Sequence, residues 1–241
     1  SEEVLHNEQT LRDVVLEITA LIEERLTQNK PYGVILIPEG LIESFKDVSA
    51  LIREINVILS SSPSSQKTLE GIARVDWVVG ELCKESSQCM KSLPVNVQLQ
   101  LVSERDPHGN VSLAKIETEK VLAYLVGEEL ARRSQEDGKK RMFSYQTFFF
   151  GYEGRCAYPT NFDLDYCTSL GRLAASAIVH GLNGYLVSID KLDKDVSDWQ
   201  PCFIPLLSMV SMEVRNGVIK PVIHKARVDL KGRPFLELQQ V

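Results

Sequence analysis

The stretch PYGVILIPEGLIESF, residues 31–45, contains an unbroken apolar run at residues 33–37 that Pro38 stops. An apolar run of this length predicts a buried strand. Apolar residues recur at helical spacing before it, over residues 11–22, and after it, over residues 48–59. A helix, a buried strand and a second helix in this order predict an α/β fold, in which helices cover both faces of a parallel, Rossmann-like sheet.

Further segments continue this pattern. Residues 10–13, TLRD, have the spacing of a capping box at the start of the first helix. Apolar spacing predicts helices from about residue 113 to 133 and from about residue 164 to 180, the second followed by a glycine that can cap it. The aromatic run at residues 142–150 and the apolar run at residues 185–189 are predicted strands.

The chain between residues 60 and 112 differs from the rest. Residues 60–65 read SSSPSS, an uncharged stretch with proline that predicts a mobile loop. Residues 67–103 carry apolar residues without a clean period, and we interpret them as an inserted helical subregion. Residues 105–110, RDPHGN, contain an ionisable pair, but Asp, Pro, Gly and Asn together are typical of a turn.

Composition and charge exclude several classes of function. The chain has 241 residues, 44% of them hydrophobic, which is enough for a sizeable core. Its 33 acidic residues outnumber its 27 basic residues, so a nucleic-acid or polybasic membrane partner is not expected. The five cysteines form no CxxC pair and favour neither a zinc cage nor a disulfide framework. A reducing cytoplasm is the predicted location.

The sequence predicts no membrane span and no signal segment. Its longest uncharged apolar stretch, residues 173–189, is interrupted by His180 and Asn183, which predicts a helix, a turn and a strand. The chain starts with serine rather than methionine, and an amphipathic helix follows almost at once. We therefore expect the chain to start inside a longer gene product.

Polar residues that directly follow predicted strands are the first candidates for a site, because ligands of open parallel sheets bind at the carboxyl ends of the strands. Glu39 follows the first strand in a tight turn, where its carboxylate could accept hydrogen bonds from sugar hydroxyls. The alternative, which spacing alone favours, is an acid that merely initiates the next helix.

The second candidate is the turn Gly151-Tyr152-Glu153-Gly154-Arg155, which follows the aromatic strand. Its two glycines permit close backbone approach. Arg155 can bind a phosphate through two parallel charge-assisted hydrogen bonds, and Tyr152 offers a hydroxyl and an apolar ring to a sugar. The alternative is a strand-to-loop turn whose arginine pairs with a surface acid.

Other chemistry finds no support in the sequence. His6, His180 and His224 lie far apart and no HExxH spacing occurs, so no metal site made by this chain alone is predicted. There is also no GxSxG elbow, GxGxxG fingerprint or Walker loop, which excludes a self-contained hydrolase, dehydrogenase or nucleoside triphosphatase.

The candidate turns lie within a longer resemblance. The chain closely resembles the long-type pyrophosphate-dependent phosphofructokinases, in order and over nearly its whole length, through the segments GVILIPEGLIE (33–43), ERDPHGNVSLAKIETEKVL (104–122), FFFGYEGRCAYPTNFDLDYCTSLG (148–171), GLNGYLVSI (181–189) and KPVIHKARVDLKGRPF (220–235). The resemblance implies the carboxyl-terminal part of such an enzyme.

The resemblance also implies a division of the chain and a fold. The fold is that of the phosphofructokinases, with parallel Rossmann-like layers and an inserted helical subregion. Residues 1–60 would be an α/β element of the sugar-phosphate-binding half, residues 61–112 the inserted and partly flexible helical subregion, and residues 113–241 the remainder of that half.

The activity implied by the resemblance is a glycolytic phosphotransfer. The family transfers a phosphoryl group from pyrophosphate, with Mg²⁺, to the 1-hydroxyl of fructose 6-phosphate and so forms fructose 1,6-bisphosphate. By motif position, Tyr152 and Arg155 would contact the 6-phosphate and Glu39 would hydrogen-bond the sugar hydroxyls. These three residues are the predicted substrate site.

The donor side of the family's active site is absent from these residues. Its glycine-rich donor loop, its catalytic aspartates and its Met-Gly-Arg segment do not occur in this sequence. We therefore predict no catalytic residue in this chain, Mg²⁺ bound mainly with the donor, and no activity of the chain alone, because phosphoryl transfer needs donor, metal and acceptor in line. The predicted partners are fructose 6-phosphate, the missing amino-terminal half and further subunits.

Two alternatives stay open at this point. The parent protein could be a non-catalytic regulatory subunit of the same family, or a phosphofructokinase that uses ATP. Some relatives also place an arginine near the start of the aromatic strand to reach a neighbouring subunit's sugar phosphate. Here Gln146 occupies that region, with the cations Lys139, Lys140 and Arg141 upstream.

Overall fold

The computed structural model describes residues 2–61, 68–105, 111–112, 116–215, 218–223 and 227–240. Most of these residues lie in helices, and the rest include two small pairs of strands. The elements in chain order are α1 (Glu2–His6), α2 (Leu11–Thr27), α3 (Lys46–Ser61), α4 (Gly71–Glu81), α5 (Lys84–Ser92), α6 (Val95–Ser103), α7 (Thr118–Asp137), α8 (Asn161–Val179), β1 (Tyr185–Asp190), β2 (Gln200–Pro205), β3 (Val210–Arg215), β4 (Val218–Ile223) and α9 (Arg233–Leu238). The mixed α/β class is thus confirmed.

The described residues form two units. The first takes those of Ser1–Phe148, Val214–Val218 and Arg227–Val241, and the second takes those of Phe149–Glu213 and Ile219–Ala226. The three-part division expected at residues 60 and 112 stays a prediction.

Helices form the first unit and pack mainly in pairs, α2 with α7, α3 with α5 and α4 with α6. Their shared core includes several completely buried side chains, among them Phe45, Leu51, Ile55, Met90, Leu101 and Val126. Burying an apolar side chain of this size contributes about 1.5–3 kcal/mol. The apolar spacing from which α2 and α3 were predicted therefore marks the faces that enter this core.

The start of α2 is fixed by the predicted capping box. The hydroxyl of Thr10 accepts from the backbone N–H of Asp13, and the Asp13 carboxylate accepts from the backbone N–H of Thr10. The N–H of Leu11 donates to Asp47 at the start of α3, 3.0 Å away. Hydrogen bonds from Thr10 hold the pKa of the Asp13 carboxyl below its usual value.

Helices α4, α5 and α6 all lie within residues 61–112, where a helical subregion was predicted. That this subregion is an insertion remains a prediction. The SSSPSS loop lies partly outside the described residues, since Ser60 and Ser61 belong to α3 and residues 62–65 are not described.

The second unit is built around α8 and β1. Strands β1 and β2 pair antiparallel, with Tyr185 opposite Pro205 and Asp190 opposite Gln200. Helix α8 packs on β1, and near its start Phe162 and Tyr166 surround the ring of Trp199, with centroid distances of 5.5 and 6.1 Å. Strands β3 and β4 form a separate two-stranded sheet. The predicted α8 and β1 are confirmed.

The structure differs from the prediction at two apolar segments. Residues 33–37 and 142–150 form neither helix nor strand. Val34 is 87% exposed and Leu36 is 85% exposed, and Phe148, Phe149 and Phe150 are each about two-thirds exposed. The predicted parallel sheet is not found among the described residues. A strand requires a hydrogen-bonded neighbour, and none of the described segments pairs with these two.

Candidate functional site

The turn at residues 151–155 is held by its own backbone. Gly151 has a φ of 54°, in the left-handed region that favours glycine. The N–H of Glu153 donates to the carbonyl of Phe150 at 3.1 Å, and the N–H groups of Arg155 and Cys156 both donate to the carbonyl of Tyr152, at 3.0 and 2.8 Å. The turn therefore has a defined shape at the end of the aromatic run.

Gly154 is required in this turn for a different reason. An alanine Cβ at this position would lie 2.8 Å from the Cβ of Phe150, which is closer than two such carbons approach in proteins. The sequence suggested that the two glycines permit close backbone approach. In the structure, Gly151 provides the left-handed backbone and Gly154 the close approach.

The side chains of Tyr152 and Arg155 lie against each other. The guanidinium carbon of Arg155 is 5.0 Å from the centroid of the Tyr152 ring, and Nε of Arg155 donates to the carbonyl of Gly151 at 3.2 Å. Tyr152 is 76% exposed, and Arg155 is also exposed. The structure thus brings these two predicted residues together on the surface of the second unit.

A short linker connects this turn to α8, which starts at a second capping box. Thr160 and Asp163 exchange the same reciprocal bonds as Thr10 and Asp13. Hydrogen bonds from Thr160 hold the pKa of the Asp163 carboxyl below its usual value, so it is ionised at neutral pH next to the amino-terminal end of the helix dipole. This cap fixes where the chain that leaves Arg155 becomes helical.

Glu39, the third predicted residue, belongs to the first unit. It is exposed and precedes Gly40, whose φ of 76° turns the chain into the 3-10 helix Leu41–Ser44. Leu41 and Ile42 are buried in the core and anchor this turn. The structure therefore fixes the backbone at Glu39 and exposes its side chain.

A surface hollow of about 510 Å³ in the second unit is lined by Lys191, Lys194, Ser197, Asp198, Trp199 and Gln200. Neither Tyr152 nor Arg155 lines it. The predicted pair therefore lies on an open surface of the unit rather than in this hollow.

Of the cations upstream of the aromatic run, Arg141 is engaged within the first unit. Its guanidinium binds both carboxylate oxygens of Asp137 at 2.8 Å and one oxygen of Glu23 at 2.5 Å. Only 14% of its side chain is exposed. Sequence spacing gave no signal for this contact, because Glu23 lies far away in the chain.

The other sequence candidates have structural roles or are not described. Arg105 donates to the carbonyls of Leu101, Val102 and Glu104 and so caps the carboxyl end of α6. Residues 106–110 and His224 lie outside the described residues. In the part of the chain that the structure describes, no group of three or more His, Cys, Asp or Glu side chains could hold a metal ion. All five cysteines carry free thiols.

None of the helices in the described ranges is both long and apolar enough to cross a membrane.

No family model matches the chain. Curated relatives match it along nearly its full length. A pyrophosphate–fructose 6-phosphate 1-phosphotransferase of Porphyromonas gingivalis is 42% identical over 241 residues, which are 100% of this chain and 44% of the relative. The beta subunit of such an enzyme from Ricinus communis is 44% identical over 97% of this chain and 41% of the relative. An alpha 2 subunit from Arabidopsis thaliana is 35% identical over 99% of this chain and 38% of the relative. The chain thus spans about two fifths of the length of the curated relatives it matches.

Proposed function

We propose, on the premise that this chain is a homologous part of the pyrophosphate–fructose 6-phosphate 1-phosphotransferase family, that it supplies the fructose 6-phosphate side of such an enzyme. The complete protein transfers a phosphoryl group from pyrophosphate to the 1-hydroxyl of fructose 6-phosphate, in glycolysis. The observation that carries the proposal is the exposed guanidinium of Arg155, held at the glycine turn that follows the aromatic run.

Arg155 binds the 6-phosphate in this proposal. A sugar phosphate is a dianion near neutral pH, and arginine binds such groups through paired, charge-assisted hydrogen bonds. Nε of Arg155 donates to the carbonyl of Gly151 at 3.2 Å, which ties one of its donors to the turn. Tyr152, against the same guanidinium, completes this end of the site.

Glu39 binds the sugar hydroxyls in this proposal. A carboxylate accepts several hydrogen bonds and donates none when ionised, which suits a polyol. This role is supported by the turn at Gly40, which is anchored by buried Leu41 and Ile42, and by the exposure of the Glu39 side chain.

We further propose that residues 33–37 and 142–150 are strands of a parallel, phosphofructokinase-type sheet whose neighbouring strands come from the rest of the longer protein. Their apolar composition and their exposure in this chain support this, since apolar segments of this size are normally covered. Hydrogen exchange tests it. The amides of residues 33–37 should exchange much more slowly in the full-length protein than in the 241-residue chain, and equal rates would contradict a sheet.

The donor, pyrophosphate with Mg²⁺, binds to the rest of the longer protein in this proposal. Among the described residues, no group of three or more His, Cys, Asp or Glu side chains is placed to hold a metal ion. Names of plant relatives that specify alpha and beta subunits support an oligomer. The odd number of cysteines and the lack of a CxxC pair in the sequence support a reducing compartment such as the cytoplasm.

The test is an activity assay of the full-length protein that carries this sequence, with fructose 6-phosphate, Mg²⁺ and either pyrophosphate or ATP. Arg155→Ala should raise KM for fructose 6-phosphate by about tenfold or more, as expected for the loss of a charged hydrogen bond, and leave KM for pyrophosphate unchanged. Arg172→Ala, which removes an exposed arginine from α8, is the matched control. An unchanged KM for fructose 6-phosphate in Arg155→Ala would contradict the site.

The same assay separates the alternatives. Turnover with ATP but not with pyrophosphate would replace the proposed donor. A protein that is inactive alone but raises the activity of an added catalytic subunit would be regulatory, as the second alternative requires.

A further inference from the structure

Tyr152 and Arg155 form an internal contact that the sequence did not predict. The guanidinium carbon lies 5.0 Å from the ring centroid, within the distance over which a cation is attracted to the face of an aromatic ring. The expectation from sequence was that both side chains would contact the ligand. In the structure, the tyrosine ring contacts the arginine itself.

The turn that carries Arg155 contributes two contacts to its guanidinium. The guanidinium carbon lies over the Tyr152 ring, and the carbonyl of Gly151 accepts from Nε at 3.2 Å. Contacts that restrict the rotamers of an arginine before the ligand arrives lower the entropy lost on binding.

The backbone of the turn places the Tyr152 ring next to the Arg155 guanidinium. The carbonyl of Tyr152 accepts from the N–H groups of both Arg155 and Cys156, which brings residue 155 back over residue 152. Because Gly154 has no side chain, the backbone at this position can pass close to Phe150, and the turn can be tight. The contact with Arg155 requires an aromatic face but no hydroxyl, and phenylalanine provides the same face.

We propose that Tyr152 is a positioning residue, whose ring holds the Arg155 guanidinium in the orientation that binds the sugar phosphate. This inference rests on the proposed function, because it concerns the same site. Its distinguishing feature is that Tyr152 acts through Arg155 and not through its own hydroxyl.

A double-mutant cycle in the full-length protein tests the coupling. Tyr152→Leu should raise KM for fructose 6-phosphate about two- to fivefold with kcat little changed, as expected for the loss of a cation–π contact at an exposed position. Tyr152→Phe should change KM by less than about twofold, because it keeps the aromatic face. In an Arg155→Ala background, Tyr152→Leu should have no further effect.

A matched control is Tyr158→Leu, which removes a tyrosine that is 95% exposed and lies three residues after Arg155. It should leave KM unchanged. A rise in KM in Tyr152→Phe as large as in Tyr152→Leu would overturn the inference, since the hydroxyl would then be the group that matters. So would an undiminished effect of Tyr152→Leu in the Arg155→Ala background.

Nuclear magnetic resonance of arginine-labelled protein provides a readout that does not depend on activity. The ring current of Tyr152 should shift the side-chain signals of Arg155, and the shift should be lost in Tyr152→Leu and kept in Tyr152→Phe. If Tyr152→Leu does not shift the Arg155 side-chain signals, the positioning role of Tyr152 is overturned, while the proposed function is unaffected. An unchanged KM in Arg155→Ala overturns the proposed function, and the role of Tyr152 toward the phosphate falls with it.

Discussion

The Nε atom of Arg141 lies 2.5 Å from a carboxylate oxygen of Glu23, a residue of α2 that is 118 positions earlier in the chain. The other oxygen of Glu23 lies 2.5 Å from Nη1 of Arg133 in α7. One acid thus joins two arginines and ties α2 to α7 and to the start of the aromatic run. About a quarter of the Glu23 side chain is exposed, so solvent screens this contact less than it screens a surface ion pair.

Glu23→Gln should lower the melting temperature of the chain by about 2–4 °C, because it leaves two partly buried guanidinium groups without their shared charge. The control is Glu136→Gln, the same substitution at an acid that pairs with Arg132 on the surface. Exposed ion pairs contribute little to stability, so the melting temperature of Glu136→Gln should differ from that of the unmodified chain by less than about 1 °C. Equal shifts in the two variants, measured by circular dichroism, would show that Glu23 is no more than a surface acid.

Glu129 in α7 should make stability depend on pH. Hydrogen bonds from Arg132 and Arg133 lower the pKa of the Glu129 carboxyl to about 2. Partial burial acts in the opposite direction and raises this pKa, but the hydrogen bonds outweigh it. Because the folded pKa lies below the unfolded value, the carboxylate stabilises the fold fully above the unfolded pKa and loses this contribution as the pH falls toward 2.

The difference in unfolding free energy between the unmodified chain and Glu129→Gln should therefore be largest at pH 7 and shrink below about pH 4.5. Urea denaturation at pH 7, 4 and 3 measures it. A difference that stays constant over this range would contradict the ionic role of Glu129.

Two glycine-to-alanine substitutions should act in opposite directions. Gly154→Ala forces a Cβ against Phe150 and should destabilise the second unit by about 1–3 kcal/mol. Gly171→Ala places its Cβ in open space on α8 and should stabilise that helix by about 0.5–1 kcal/mol. The readout is fluorescence during urea denaturation with Trp77→Phe in the background, because Trp199 then reports the second unit as its single tryptophan. Destabilisation by both substitutions would contradict the open surroundings of Gly171.

Removing a helix cap should affect only the unit that contains it. Thr160→Ala leaves the N–H of Asp163 without its acceptor and should destabilise the second unit by about 1 kcal/mol. Thr10→Ala makes the same change at α2 and should destabilise the first unit by a similar amount. Trp77 and Trp199, each observed with the other replaced by phenylalanine, report the two units separately. If either variant lowers the unfolding free energy reported by Trp77 and by Trp199 to the same extent, the two units unfold together.

The helices were largely predictable from sequence because their signals are local. Capping boxes at Thr10 and Thr160 and apolar spacing along α2, α3 and α8 depend on neighbours within a few residues. Helix α8 starts at Asn161 rather than near residue 164, because the cap formed by Thr160 lies before the first apolar position used to predict it.

The strands were less predictable because pairing is not local. Residues 185–189 formed the predicted strand, since residues 200–205 lie beside them and share their hydrogen bonds. Residues 33–37 have equally strong strand character but no such neighbour among the described residues, so they form no strand and most of them are exposed. The composition of a segment indicates its β-propensity, but a strand forms only where a second segment pairs with it.

The candidate site was predicted in part. The exposure of Tyr152 and Arg155 agrees with the expected placement at a surface turn. The ring-to-guanidinium contact and the steric need for Gly154 were not predictable, because both depend on the path of the backbone at Phe150. The roles of Glu39, Tyr152 and Arg155 toward a ligand stay predictions until the variants are measured.

The three adjacent phenylalanines at residues 148–150 have a consequence for the biosynthesis and handling of this chain. An uncharged aromatic run with high β-propensity is a strong aggregation signal wherever it meets solvent. A preparation of the 241 residues alone should therefore precipitate at high concentration and require a chaperone or a solubilising fusion tag. During translation, the same run needs protection for as long as it is exposed to solvent.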